Sequence, residues 1–184
     1  MNETSAPHFL ARWRSAFSRA REKRVVRWGV DALFFIAVIG VAGAFQTRRH
    51  LGAGAAPQAT LSLLSGGELS FTSLRGKPTL LAFWAPWCGV CKVESQNISW
   101  AMHLAGGAAN VLSVASDFQD VGAVRGFVQA HEVDYPVLLG DEETSRRFSV
   151  DAFPTIYFLD AEGRVKGSAV GYTSTLGLLA RLLL

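Results

Sequence analysis

Residues 79–91 read TLLAFWAPWCGVC: an apolar run from Thr79 to Ala85, then Pro86 and Trp87, then two cysteines, Cys88 and Cys91, three positions apart. A near-continuous apolar run of this length is the pattern of a strand covered on both faces. A helix is expected to open near Trp87–Cys88 and run to about Leu104, where Gly106-Gly107 ends it. A cysteine at the opening turn of a helix meets unpaired backbone N–H groups and the positive end of the helix dipole. Both favour thiolate over thiol. Such cysteines ionise with pKa values of roughly 3.5 to 7.5, against about 8.5 for a free one. Cys91 lies almost one turn further on, close enough to close a disulfide but facing the protein. Cys88 is therefore the expected attacking sulfur, and Cys91 the one that resolves a mixed disulfide.

Upstream of this stretch, Thr60–Leu64 and Glu68–Phe71 flank Gly66-Gly67 as a small hairpin, and residues 73–77 form a turn into Pro78. Downstream, Val111–Ala115 reads as a second buried strand. Val121–His131 reads as a helix, with Asp117 as its candidate cap. Val137–Leu139 is a short apolar piece and Glu142–Phe148 a helical segment. Thr155–Leu159 and Val165–Val170 are strands joined by a turn at Ala161-Glu162-Gly163, and Ser174–Leu183 closes the chain as an apolar helix. Strands alternating with helices, then an antiparallel pair and a final helix, predict an α/β sandwich with a mixed sheet.

The chain has 184 residues, of which 49% are hydrophobic and 18% charged, a composition incompatible with disorder throughout. Its formal charge of +3 is unevenly placed. Residues 1–50 carry nine Lys/Arg and three acids, a net of +6, whereas residues 51–184 carry nine Lys/Arg and twelve acids, a net of −3. The globular part would repel a phosphate backbone, so no nucleic-acid partner is expected.

The basic excess belongs to a leader, residues 1–28, ahead of an apolar segment at 29–47 with one acid, Asp31, near its start. That segment is short but workable as a single transmembrane helix. Seven basic residues crowd the N-terminal flank, against Arg48 and Arg49 on the far side, an asymmetry that places the N-terminus in the cytoplasm and the remainder outside it. Ala42-Gly43-Ala44 resembles a signal-peptide cleavage site, yet the charged region before the apolar core is longer than signal peptides carry. A retained anchor is the favoured reading. Residues 48–59, rich in Gly and Ala, form the expected linker, and 60–184 the exported domain.

Other uses of the cysteine pair fit less well. A structural disulfide across two intervening residues closes a tiny loop and constrains the unfolded chain little. A Cu(I)- or Zn(II)-binding module needs more ligands than two cysteines with scattered His and Met. A peroxidase lacks an upstream Thr or Ser, since position 85 is Ala. No bound cofactor or metal is called for.

WCGVC after an apolar strand, with Phe153-Pro154-Thr155 before a later strand, resembles the thioredoxin superfamily over about residues 58–184. The 63 residues separating Cys91 from Pro154 resemble the membrane-anchored TlpA-like branch. WAPWCGVCK and the C-terminal VGYTSTLGLLARLLL are similar to its suppressor-for-copper-sensitivity protein D group. The resemblance implies a three-layer α/β/α sandwich and a protein-disulfide oxidoreductase, acting on protein or peptide disulfides outside the cytoplasm. It also implies a cis Pro154 lying against the pair, and a groove formed by Trp87, Phe153, Pro154 and Thr155. Phe153 would offer backbone to an extended substrate, and a DsbD-like transmembrane donor would supply electrons.

Thioredoxin's buried aspartate is replaced here by Ala82. Glu94, three residues after Cys91, matches a glutamate of cytochrome-maturation reductases and is the candidate proton relay. Gly89-Val90, between the cysteines, favours the reductase or isomerase side without fixing it. Trp100, His103, Phe83 and Trp84 are assigned to packing.

Overall fold

The computed structural model describes residues 54–184, so the expected leader and span lie outside the described residues. Among the described residues no helix is long and apolar enough to cross a membrane. Strand β4, Thr79–Trp84, has every residue buried. It pairs in parallel with β5, Asn110–Ala115, and antiparallel with β7, Thr155–Leu159. With β1 (Gly54–Ala55), β2 (Thr60–Leu63), β3 (Glu68–Ser70), β6 (Val137–Leu139) and β8 (Arg164–Val170) they form one mixed sheet. Its order is β1-β8-β7-β4-β5-β6-β2-β3. The helices are α1 (Gly89–Ala105), α2 (Val121–Ala130), α3 (Glu142–Arg147) and α4 (Thr175–Leu183).

Side chains alternate across a strand, and β4 divides its apolar run accordingly. Leu81 and Phe83 join Phe71, Phe148 and Tyr157 on one face, beneath α3 and a single 3₁₀ turn at Phe71–Leu74. Leu80 and Ala82 face the other way, onto Ile98 and Ala101 of α1 and Leu178 and Leu182 of α4. Trp84, on that second face, stacks on Phe127 of α2 at 4.2 Å between ring centroids and donates its indole N–H to Ser113 Oγ at 3.0 Å. Helices thus lie on both faces, but one face carries three of them and the other a short one. The Tyr157 hydroxyl donates to the Phe148 carbonyl, a buried polar group satisfied inside the aromatic face.

Several expectations need correction. Gly54 and Ala55, placed in the linker, pair with Val165 and Arg164, and Ala56 is buried. Asp120, not Asp117, caps α2, its Oδ1 accepting the Ala123 N–H at 3.0 Å. Phe71 starts the 3₁₀ turn and does not end β3. Trp100 and His103 are not packing residues: Trp100 is exposed, and His103 pairs with Asp134 at 2.6 Å on the surface.

Candidate active site

Strand β4 delivers the chain into a turn closed by the Cys88 N–H on the Ala85 carbonyl at 3.0 Å. Cys88 then stands as the N-cap of α1, with extended backbone (φ −75°, ψ 112°), one residue ahead of the first turn. A side-chain acceptor at that position satisfies one of the free N–H groups of the helix start. Here the acceptor is sulfur: Cys88 Sγ takes the Cys91 N–H at 3.1 Å. A donor and a dipole end aimed at this sulfur favour its ionised form once it is reduced.

Cys88 and Cys91 are joined as a disulfide with Cα atoms 5.3 Å apart. Attack requires a reachable first sulfur with the second held in reserve. Both are largely covered, Cys88 at 5% exposure and Cys91 at 2%. What stands open is the rim: Trp87 is 64% exposed. Its indole N–H is shared between the Asp117 carbonyl at 3.0 Å and Asp117 Oδ2 at 3.1 Å, and its ring meets Phe153 edge-on at 5.8 Å. A cleft of about 590 Å³ opens beside Trp87, lined also by Asp117, Phe118, Phe127 and His131.

The Phe153–Pro154 peptide is cis, and Phe153 packs against the apolar cluster that contains both cysteines. The fold therefore brings Phe153 to the cluster that holds the cysteine pair across 61 residues of intervening chain. Thr155 is different. It is fully buried, with its hydroxyl donating to the Ala152 carbonyl at 2.8 Å, and faces the interior.

Glu94 lies one turn beyond Cys91 and is 1% exposed. Its Oε2 accepts the Thr173 N–H at 2.9 Å and the Asn97 amide at 3.5 Å, while Oε1 is buried with no hydrogen-bond partner among the described residues. Burial pushes this carboxyl above its ordinary value, and the two donors offset that only in part. A raised pKa brings a carboxyl closer to the range in which it can both take up and return a proton, as an acid–base relay requires. Asp117, Asn97 and Thr173 are supporting residues that spacing does not reveal, since Thr173 is 79 residues from the glutamate it bonds. Among the described residues no three His, Cys, Asp or Glu side chains converge as a metal site would need.

The AhpC/TSA family matches residues 53–168. The chain belongs to that family. It is 33% identical over 129 residues to the soluble secreted antigen MPT53 of Mycobacterium tuberculosis, covering 70% of this chain and 73% of that one. It is 28% identical over 112 residues to the thiol-disulfide oxidoreductase ResA of Bacillus subtilis, covering 60% and 62% respectively. Among solved structures it resembles a secreted Mycobacterium tuberculosis disulfide oxidoreductase homologous to Escherichia coli DsbE. That match has a TM-score of 0.61 and 29% identity, and covers 68% of this chain and 94% of the other. The fold is thioredoxin-like, and with its Cys88–Cys91 pair the chain is a protein-disulfide oxidoreductase of that class.

Proposed function

We propose that this family member is a membrane-anchored, extracytoplasmic thiol:disulfide oxidoreductase working on the reductase or isomerase side. The observation that carries the reading is the vicinal cysteine pair whose first sulfur caps α1 and accepts a backbone N–H, beside the Trp87–Phe153 rim. In the reduced enzyme the Cys88 thiolate attacks one sulfur of a substrate disulfide. A Cys88–substrate disulfide forms and the other substrate sulfur leaves as thiolate. The Cys91 thiolate then attacks Cys88 Sγ, closing the enzyme disulfide and releasing the second substrate sulfur. Glu94 accepts the Cys91 proton as that thiol becomes a nucleophile. Two electrons must return to the pair, and a DsbD-like transmembrane donor is the source that fits a compartment without a soluble reductant pool.

The basic leader and the apolar segment at 29–47 support the anchor and the orientation. The names of the relatives, a secreted antigen and a secreted oxidoreductase, support an extracytoplasmic site of action. A second reading, a thiol reductase serving cytochrome c maturation, is favoured by the buried Glu94 alone. It predicts that c-type haem attachment fails when the protein is absent.

The test replaces Cys91 by Ser in the full chain. Substrates should accumulate as mixed disulfides on Cys88 and vanish with Cys88→Ser. Identical, adduct-free patterns from both variants would end the exchange reading. Stoichiometric Cu(I) or Zn(II) uptake without turnover would replace it with a binding module.

A further inference from the structure

Helix α1 leaves one stripe of its surface uncovered. Val90, Val93, Asn97, Trp100 and Leu104 follow one another at alternating steps of three and four, the spacing that aligns residues along one side of a helix. Trp100, near the far end of the stripe, is 60% exposed. Asn97 fixes what lies beside it: its amide donates to the Thr173 carbonyl at 3.0 Å, and its side-chain oxygen accepts the Thr175 hydroxyl at 3.3 Å. The stripe therefore borders α4. Lys92, Gln96 and His103 occupy the other flank, where Gln96 donates to the His131 carbonyl and His103 meets Asp134. On α4 the matching row is Leu176, Leu179 and Leu183, with Leu176 77% exposed. An apolar surface shared by two helices and open to solvent is the kind that marks an interaction site.

Its charge says what it would meet. Residues 51–184 carry a net of −3, yet α1 and α4 expose no carboxylate. The one acid on α1, Glu94, is buried, and α4 has none. The ionisable side chains these helices expose are Lys92, Arg181 and His103, the last paired with Asp134. An apolar face with an exposed tryptophan and no carboxylate side chain exposed on its own two helices, set in an otherwise acidic domain, is the part of the domain best suited to an anionic lipid surface.

The route of the chain agrees. The described residues start at β1, on the sheet edge beside β8. The next strand inward, β7, packs Ile156 and Phe158 in the cluster that holds Leu178 and Leu182 of α4. On the anchored reading, residues 48–53 join the span to β1, and six residues reach at most about 20 Å.

We propose that the α1–α4 face rests on an anionic bilayer surface with Trp100 in the headgroup layer, which holds Cys88 at the head of α1 beside the membrane. This rests on the anchored reading above, and the test separates the two. Full-length protein is reconstituted into vesicles of phosphatidylcholine and phosphatidylglycerol, with and without lipids brominated near the headgroup end of their chains. Emission of the Trp100→Phe variant is subtracted from that of the unaltered chain, isolating Trp100 from the four tryptophans common to both.

The Trp100 signal should lose most of its intensity in brominated vesicles. Leu176→Ser with Leu183→Ser should restore it while leaving the circular dichroism and exchange with a soluble peptide unchanged. Equal signals with and without bromine would overturn the proposal, as would sedimentation showing paired copies whose Trp100 is shielded from lipid. If alkaline carbonate strips the chain from membranes, the anchored reading fails by itself. The released chain added back to the vesicles then decides the face by the same readout, quenching for it and none against it.

Discussion

Replacing Glu94 by Gln should change how stability depends on pH, in a direction the structure fixes. The carboxyl is 1% exposed, with one oxygen bonded to Thr173 and Asn97 and the other unpartnered among the described residues. Burial is the largest influence on it and raises its pKa above the ordinary 4.5. In the unfolded chain the group ionises near that ordinary value, while in the folded chain it keeps its proton to higher pH. Between the two values the folded state binds more protons than the unfolded one, so stability falls as pH rises. It falls by up to about 1.4 kcal/mol per pH unit for one proton. Below the unfolded value the contribution is fully present, and above the folded value it is gone.

Glutamine does not titrate, and any cost of its amide beside Thr173 is the same at every pH. The difference in unfolding free energy, unaltered chain minus Glu94→Gln, therefore isolates this one group, because all others are common to both. Urea unfolding of the oxidised proteins from pH 4 upward measures it, with both cysteines tied in the disulfide and unable to titrate. The difference should decline as pH rises above about 4.5 and then level off. Parallel curves would mean that Glu94 is solvated in solution, and a difference growing with pH would mean that it is stabilised as an anion. Either would remove the proton-relay argument.

Trp87→Ala removes the indole bonds to Asp117 and the ring contact with Phe153. Since the side chain is mostly exposed, stability should change by no more than about 1 kcal/mol, as surface sites do. The kcat/KM for reducing a disulfide peptide should drop clearly, and an unchanged value would remove Trp87 from the groove. Gly140→Ala is the opposite kind of change. A Cβ there would stand 2.5 Å from Val114 Cγ1 and 3.3 Å from the Ala115 carbonyl. Overpacking of this sort costs about 1–3 kcal/mol, read as a lower urea midpoint with the exchange rate per folded molecule intact.

Much of this architecture is legible because β4 and α1 are strongly patterned. The apolar run ends where the strand ends, and the cysteines fall where strand turns to helix, so the N-cap position of Cys88 is within one residue of the expected one. The residues that went astray lack such signals. Gly54–Ala55 is too short to show alternation and becomes a strand only because β8 offers it an edge. Asp117 is the wrong cap for a helix opening at Val121, since the residue directly ahead of it is Asp120, and Asp117 instead accepts from the Trp87 indole. Trp100 looks like core by hydrophobicity, but its place on the wheel of α1 puts it outside. The partners of Glu94 come from the far end of the chain, where no local pattern points back to it.

Ionisation of the Cys88 thiol, followed through thiolate absorbance in reduced Cys91→Ser, tests most directly whether a capping sulfur at a helix start is what makes this protein reactive. The account predicts a pKa within roughly 3.5 to 7.5. A value near about 8.5, that of an unperturbed cysteine, would contradict it.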